Sequence, residues 1–149
     1  MVCLGNICRS PLAEGILQHK ADQAGLNWVI DSAGTGGYHI GEQPHALAQK
    51  VALLNGINIS TQQCRQFTKK DMLTFDRIFV MDSDNYEEVK RISKENWDEK
   101  KVSLLLAELY PGENRNVPDP WYGTEKDFHT VFDLLDKACN RIVEHNRQE

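Results

Sequence analysis

The spacing of apolar residues changes repeatedly between a helical and a strand-like pattern along the chain. Intervals of three and four residues, typical of amphipathic helices, occur in three long stretches. These stretches follow Pro11, end at Asn55-Gly56, and run from Phe128 to Val143. We predict strands for the short apolar runs between them, Trp28–Ala33, Arg77–Met81 and Val102–Leu106. The alternation of helices and short strands predicts an α/β fold.

Capping residues indicate where several of these helices begin. Pro11 fits the first turn of a helix, and Ser10 directly before it is a candidate N-cap. Thr68 and Asp71 have the spacing of a capping box, which predicts a short helix after Thr68. A further helix is predicted over Asp84–Ser93.

The order of the elements predicts a three-layer sandwich, in which a central, mostly parallel four-stranded sheet has helices on both faces. Val2–Gly5 is expected to form the first strand and to lead into the first helix. In sheets of this type, ligands bind beyond the carboxyl ends of the strands. We therefore expect a functional site in the loop between the first strand and the first helix.

Length and composition agree with one globular domain over residues 1–149. The chain has 149 residues, of which 40% are hydrophobic and 26% charged, so it can bury a core without disulfides. Its net charge of −5 argues against nucleic acid as a partner. No apolar run approaches the ~20 residues of a membrane span. The N-terminus also lacks a signal-peptide pattern, so we expect a cytoplasmic protein without membrane association.

The cysteines and histidines do not have the spacing of a metal site. The four cysteines form no Cys-x-x-Cys pair, and we expect reduced thiols. The five histidines are scattered, and the nearest pair, His39 and His45, lacks the spacing of a structural zinc site. We expect neither a metal nor another cofactor.

One segment combines a nucleophile with the elements of an anion site. Cys3 is followed after five residues by Arg9 and then by Ser10, directly before the first predicted helix. Such a loop points backbone N–H groups at an anion, Gly5 permits a tight turn, and an arginine can bind two phosphate oxygens. A cysteine within this ring of donors favours the thiolate form. A thiolate that faces a phosphoryl group is a nucleophile for phosphoryl transfer.

The segment VCLGNICRSPLAEG, Val2–Gly15, resembles the phosphate-binding loop and first helix of the low molecular weight protein tyrosine phosphatases. The resemblance continues in family order over essentially the whole chain. Its further matches are Asp31–Thr35, Gly56-Ile57, Arg65-Gln66, Phe75-Asp76, Val80–Asp82 and Asp119–Gly123. The combination of CLGNICRSP near the start and DPWYG near the end is highly specific for this family.

The resemblance implies a role for each matching residue. Cys3 resembles the nucleophile, Arg9 the clamp on the phosphate and Asp119 the general acid. Asn6 and Ser32 resemble the pair that holds the loop in shape. The residues implied around the phosphate are Leu4, Gly5, Asn6, Ile7, Cys8 and Ser10, whose hydroxyl would stabilise the thiolate. The chemistry independently requires an acid, because a phenolate whose phenol has a pKa of about 10 leaves poorly near neutral pH.

The resemblance also implies the substrate and its entrance. Tyr38, Trp121 and Tyr122 match positions where the family lines the entrance with aromatic side chains, which suit a phenyl ring. The implied substrates are phosphotyrosine-containing proteins and small aryl phosphates, with a tyrosine kinase as a candidate partner.

The remaining cysteines are expected to differ in role. Cys8 resembles a loop cysteine that forms a reversible disulfide with the nucleophile, which would protect Cys3 from irreversible oxidation. Cys64 and Cys139 are expected to be inert core thiols.

Two departures from the family pattern modify these expectations. The family has a longer first strand, so we expect the natural chain to begin upstream of Met1. Gln62 stands where the family often has a histidine ahead of its Arg-Gln pair. We therefore expect the polar network behind Asn6 and Ser32 to be rewired.

Three alternatives to a phosphatase with a cysteinyl-phosphate intermediate differ from it in the residues that they require. A thiol-dependent arsenate reductase of similar fold needs two further cysteines after the third strand, and Asp82–Lys101 contains none. A cysteine phosphocarrier protein would need no Asp119 acid and would not release phosphate to water. A pure binding module would need neither the nucleophile nor the acid.

Overall fold

The computed structural model describes residues 1–147, and a parallel sheet lies at the centre of these residues. Its strands are β1 (Val2–Cys3), β2 (Ala33–Gly34), β3 (Ile78–Val80) and β4 (Val102–Leu104). Their order is β2-β1-β3-β4. Val2 pairs with Ala33 on one side and with Val80 on the other. The loop that follows β1 therefore leaves from the middle of the sheet.

Within the same residues, five α-helices connect and cover the strands. They are α1 (Arg9–Gln23), α2 (Ala46–Leu54), α3 (Lys69–Thr74), α4 (Ser83–Ser93) and α5 (Glu125–Arg147). Between residues 1 and 147, none of the helices is both long and apolar enough to cross a membrane. The predicted fold class, a parallel four-stranded sheet with helices, is confirmed.

Alternate side chains of the strands enter two cores, one on each face of the sheet. Cys3 and Phe79 pack with α1, α2 and α5, which bury Phe128 of α5 among them. Val2 and Val80 pack on the opposite face with residues of α3 and α4. Cys3, the candidate nucleophile, therefore lies on the face of the sheet that α1 and α5, the two longest helices, cover.

The strand predicted at Trp28–Ala33 is wrong except at its last residue. A strand requires a partner, and β1 pairs with this segment only from Val2 opposite Ala33. Ahead of that pair, the Met1 amino group donates to the carbonyl oxygen of Asp31 at 3.1 Å. The extent of this strand is therefore determined by its neighbour and not by its own apolar pattern.

The other two predicted strands are present but shorter. Arg77–Met81 contains β3, and Val102–Leu106 contains β4. The chain turns into a 3-10 helix at Leu105–Glu108, so the last two apolar residues of the second run are buried within that turn. The apolar runs predicted burial correctly but did not predict where the strands end.

Two predicted helix starts had different outcomes. The capping box of Thr68 and Asp71 is confirmed at the start of α3. The cap predicted at Ser10 is wrong, because α1 begins at Arg9 with Cys8 as its N-cap residue and has no side-chain cap. The hydroxyl of Ser10 is instead bonded within the loop.

Candidate active site

The loop between β1 and α1 is held by bonds to its outward-facing carbonyl groups. Thr35 N–H donates to the carbonyl oxygen of Cys3, and Gly36 N–H donates to that of Leu4. The Cys64 thiol donates to the carbonyl oxygen of Asn6, and His45 N–H donates to that of Ile7. All four distances lie between 2.7 and 2.9 Å. In a trans peptide the following N–H points away from the carbonyl. The N–H groups of residues 4, 5, 7 and 8 therefore face the interior of the loop, as in a backbone nest that binds an anion.

Asn6 fixes the centre of this loop. Its φ of 53° lies in the left-handed region, which asparagine tolerates better than most residues. Its Nδ2 donates to the hydroxyls of Ser10 and Ser32 at 2.8 and 2.9 Å, and its Oδ1 accepts from the N–H of Arg65 at 3.0 Å. The structure thus brings together Asn6 and Ser32, the pair that the resemblance implies.

The sulfur of Cys3 lies inside the loop with two donors directed at it. The N–H of Asn6 donates at 3.3 Å, and the hydroxyl of Ser10 lies at 3.1 Å. Because the Ser10 oxygen accepts from the Asn6 amide, its own proton is available to the sulfur. Both bonds stabilise negative charge on sulfur. Ser10 therefore serves the candidate nucleophile.

The polar network continues behind Asn6 to Glu14, which the sequence did not single out. The hydroxyl of Ser32 donates to Glu14 Oε1 at 2.8 Å and accepts from Asn6. Burial raises the pKa of Glu14, although the bond from Ser32 opposes this shift. Gln62 bonds elsewhere, since its Nε2 donates to a backbone carbonyl of α1 at 3.1 Å. A continuous row of hydrogen bonds therefore joins Glu14 to Cys3, with Asn6 donating toward both ends.

Arg9 is buried and anchored on one side only. Its Nη1 donates to Asp82 Oδ2 at 2.8 Å and to the carbonyl oxygen of Val117 at 2.9 Å. Asp82 lies two residues beyond the end of β3, and its Oδ1 accepts from the N–H of Asn85 as the cap of α4. The carboxylate that holds Arg9 is therefore itself fixed. The Nε–Nη2 edge is the pair of donors suited to two oxygens of one anion.

Asp119 lies beside Arg9 but reaches solvent. Its Oδ2 is 3.7 Å from Arg9 Nη2, and its side chain is 47% exposed. Its Oδ1 accepts from the backbone N–H of Trp121 at 3.1 Å, which makes a local turn around the buried Pro120. A carboxyl group in this position can exchange protons with water while staying close to the loop.

The predicted entrance aromatics are not core residues. Tyr38 and Tyr122 are 75% and 98% exposed. The ring of Trp121 is partly buried and packs against His39 and His45, with centroids 5.2 and 5.5 Å apart. Trp121 is thus the fixed part of the aromatic rim, and the two tyrosines are its exposed part.

His39 brings the aromatic rim against the phosphate loop. A β-carbon at Gly5 would come within 3.3 Å of the His39 ring, so a side chain there would crowd that ring. The sequence suggested no role for His39 and His45 other than a rejected metal site, and their contacts with Trp121 were not predicted. No spacing along the chain indicated those contacts.

Among the missed residues, only Asp82 had a usable signal. It stands at the carboxyl end of β3, where open α/β sheets bind their ligands. The contacts of Glu14, Cys64 and His45 with the site join residues far apart in the sequence. Neither periodicity nor a local motif indicates such contacts.

All four cysteines are buried, and the three other than Cys3 are expected to be thiols. Burial raises the pKa of Cys64 to about 11 and that of Cys139 to about 12. Burial also raises the pKa of Cys8, and the neighbouring Cys3 adds to the shift. Cys64 differs from an inert core thiol because it donates to the Asn6 carbonyl. The disulfide implied between Cys3 and Cys8 stays a prediction.

Comparison with known proteins links this geometry to one family. A family model described as low molecular weight phosphotyrosine protein phosphatase matches residues 1–149. The low molecular weight phosphotyrosine protein phosphatase of Homo sapiens is 38% identical over 145 residues, covering 96% of this chain and 91% of the human protein.

Solved structures share the whole fold. The protein tyrosine phosphatase from Entamoeba histolytica, with Hepes in its active site, has a TM-score of 0.88 and 36% identity, covering 99% of this chain and 94% of its own. Wzb of Vibrio vulnificus, in complex with benzylphosphonate, has a TM-score of 0.87 and 28% identity, covering 97% and 94%.

Proposed function

Because the chain belongs to the low molecular weight phosphotyrosine protein phosphatase family, and is therefore a protein-tyrosine-phosphatase, we propose that it hydrolyses phosphotyrosine through a phosphate bound to Cys3. One observation carries the proposal: the Cys3 sulfur receives two hydrogen bonds inside a loop whose carbonyl groups are bonded outward. This arrangement supports an anionic nucleophile next to a bound anion.

In the first step, the Cys3 thiolate attacks phosphorus and the bond from phosphorus to the phenol oxygen breaks. The inward N–H groups and the Nε–Nη2 edge of Arg9 hold the phosphoryl oxygens. Asp119 gives its proton to the phenol oxygen as it leaves. The products are tyrosine, an ionised Asp119 and a phosphate ester of the cysteine sulfur.

In the second step, water attacks phosphorus and the bond from phosphorus to sulfur breaks. The ionised Asp119 takes a proton from that water, which restores its acid form. The sulfur leaves as a thiolate, which the bonds from Asn6 and Ser10 stabilise. Inorganic phosphate then departs, and the site is ready for the next substrate.

The rim supports an aryl phosphate as substrate. Tyr38, Trp121 and Tyr122 offer aromatic surface beside the anion loop, which suits a phenyl ring. The benzylphosphonate bound by Wzb combines the same two chemical parts, a phenyl ring and a phosphonate. The proposed substrates are phosphotyrosine-containing proteins and small aryl phosphates. The proposed location is the cytoplasm, because the nucleophile must stay reduced. A tyrosine kinase as partner stays a prediction.

Rapid-quench measurement with phosphotyrosine tests the intermediate. We expect a burst of tyrosine equal to the enzyme concentration, phosphate trapped on Cys3 after acid quench, and continued release of inorganic phosphate. Cys3→Ser should retain less than about a hundredth of the turnover and still bind vanadate or phosphate, because the backbone nest and Arg9 remain.

Cys139→Ala is the matched control, since Cys139 lies in the core with its sulfur against the Ala13 carbonyl oxygen of α1 and has no bond to the loop carbonyl groups. It should keep the burst. Activity of Cys3→Ser near that of wild type would show that Cys3 is not the nucleophile. Phosphate that stays on Cys3 without release to water would instead identify a phosphocarrier.

A further inference from the structure

His45 contacts both the phosphate loop and the loop that carries Asp119. Its backbone N–H donates to the carbonyl oxygen of Ile7 at 2.8 Å, which ties its main chain to the phosphate loop. Its ring lies between Phe128 of α5 and Trp121, at centroid distances of 5.0 and 5.5 Å. It thus lies where the core, the nucleophile loop and the acid loop meet.

The ring of His45 also has a defined proton arrangement. Its Nδ1 accepts from the N–H of Leu47 at 3.1 Å as the N-cap of α2. Nδ1 therefore carries no proton, and the neutral ring has its hydrogen on Nε2. This bond fixes the side-chain torsion angles of His45.

Capping alone does not account for a histidine here. Asparagine, aspartate, serine and threonine are the strongly preferred N-cap residues, and each caps with a shorter side chain. The histidine ring stacks on Phe128 with an interplanar angle of 27° and meets Trp121 nearly edge-on at 75°. None of the four preferred cap residues could make these two contacts, so the ring has a use besides the cap.

The contact between the rings of His45 and Trp121 is linked to Asp119 by the backbone of Trp121. The Trp121 N–H donates to Asp119 Oδ1, and the other carboxylate oxygen lies 3.7 Å from Arg9. Asp119 is half exposed, so few other contacts hold its side chain. A shift of the Trp121 ring would therefore move the donor that orients the carboxyl group.

We propose that His45 is a positioning residue for the acid, whose ring holds Trp121, and through it Asp119, at a fixed place over the phosphate loop. The proposal rests on the proposed function in one respect, the acid role of Asp119. It assigns His45 no contact with the substrate and no part in proton transfer.

Two substitutions separate the cap from the ring. His45→Asn keeps a cap acceptor and removes the stacked ring, whereas His45→Phe keeps a ring and removes the cap acceptor. The readout is the leaving-group ratio, defined as the single-turnover rate of phenol release from phosphotyrosine divided by that from 4-nitrophenyl phosphate. A misplaced acid lowers this ratio, because nitrophenolate leaves without protonation far more readily than tyrosine does.

We expect His45→Asn to lower the single-turnover rate of tyrosine release about tenfold, with a much smaller loss on the nitrophenyl substrate. Its melting temperature should stay within about 2 °C of wild type. His45→Phe should melt about 2–4 °C lower, because the cap is lost, and keep the ratio. His129→Asn, on the exposed side of α5, is the control and should change neither quantity.

Asp119→Asn and the double variant with His45→Asn complete the experiment. If His45 acts through Asp119, the double variant should be no slower on phosphotyrosine than Asp119→Asn alone. Equal losses of His45→Asn on both substrates, an unchanged ratio, or additive losses in the double variant would overturn the positioning role. If His45→Asn does not fold, His45→Asp carries the same comparison.

The same measurements separate this proposal from the proposed function. If Asp119→Asn itself leaves the leaving-group ratio unchanged, the acid role fails, and the His45 proposal fails with it. If Asp119→Asn lowers the ratio and His45→Asn does not, only the positioning role of His45 is overturned.

Discussion

The phosphate loop and the acid loop of residues 117–123 are built in opposite ways. In the phosphate loop, Cys3, Asn6, Arg9 and Ser10 are each at most 3% exposed. Four of its carbonyl groups are bonded to residues outside the loop. In the acid loop, Asp119 is half exposed and Tyr122 is almost fully exposed. One loop is fixed by its surroundings, and the other is held at a few points.

The difference follows from the chemistry that each loop would perform. Anion binding requires donors that are already oriented, because reorienting them during the reaction would cost free energy. A general acid that loses its proton and regains it from water in each cycle requires contact with water. Arg9 joins the two loops, since its Nη1 donates to the Val117 carbonyl and its Nη2 faces Asp119. Substitutions in the two loops should therefore have different signatures.

The largest effect is expected from Arg9→Lys, which changes the residue shared by both loops. Lysine keeps the charge but cannot offer two parallel N–H groups, and its single nitrogen cannot replace both the Nη1 that bonds Asp82 and Val117 and the Nε–Nη2 edge. We expect kcat/KM to fall by about 10³-fold or more on both substrates. Steady-state kinetics and vanadate binding measure this loss. Retention of vanadate affinity would show that Arg9 is not the clamp.

Asp119→Asn tests the acid loop alone. We expect about a 10²-fold loss on phosphotyrosine, the lower end of what general acids contribute, because water can reach this exposed position. The loss on 4-nitrophenyl phosphate should be much smaller. The decline of the wild-type rate at alkaline pH should also weaken in the variant. Single-turnover release of the phenol across pH measures both, and equal losses on the two substrates would contradict the acid role.

The sequence predicted these two loops to different extents. The phosphate loop is one continuous segment, so Cys3, Gly5, Arg9 and Ser10 could be recognised by their order and spacing. Asp119 was found through the resemblance of Asp119–Gly123 to a motif of the family, because an isolated Asp-Pro pair indicates only a turn. Asp82 and His45 hold those residues in place by contacts across the fold. The spacing of residues along the chain does not predict contacts between residues that are far apart in the sequence.

The fold was predicted in kind but not in its boundaries. The alternation of apolar patterns is a local property, and it gave the parallel sheet and its covering helices correctly. The start of β2 depends on where β1 begins to pair, at Val2 opposite Ala33. The misassigned cap at Ser10 has a similar cause, because the helix starts two residues earlier than predicted and the Ser10 hydroxyl contacts Cys3.

A smaller effect is expected from Cys64→Ala, which removes one outside bond of the phosphate loop. The Cys64 thiol donates to the Asn6 carbonyl at 2.7 Å, whereas Cys139 packs in the core with its sulfur 3.9 Å from the Ala13 carbonyl oxygen. We expect Cys64→Ala to lower kcat on both substrates by about threefold to tenfold, since one of several anchors is lost.

Cys139→Ala is the matched control for Cys64→Ala. It should lower the melting temperature, because it leaves a cavity in the core, and keep kcat. Kinetics and thermal unfolding of the two variants measure the contrast. If both variants lose stability and neither loses activity, the bond from Cys64 does not hold the loop.

The smallest effect is expected in stability, at the buried end of the row that joins Glu14 to Cys3. Burial raises the pKa of Glu14 in the folded chain. The folded state therefore keeps a proton that the unfolded state has already lost, and the free energy of unfolding declines as pH rises through this interval. Glu14→Gln cannot ionise, and its amide oxygen can still accept from Ser32. The variant should thus be more stable than wild type at neutral pH, and the difference should vanish below the ordinary pKa of glutamate, about 4.3.

Glu95 provides the contrast of opposite sign. It is exposed, and the hydrogen bond from Lys69 lowers its pKa. Glu95→Gln should therefore be slightly less stable than wild type at neutral pH and equal to it in acid. Urea unfolding of the three proteins between pH 4 and pH 7 measures both differences, and subtracting wild type removes contributions common to all, such as that of the buried Met1 amino group. If Glu14→Gln instead becomes less stable than wild type as pH rises, the surroundings stabilise the ionised carboxylate of Glu14. The hydrogen bonds behind the phosphate loop would then end at a carboxylate and not at a buried carboxylic acid.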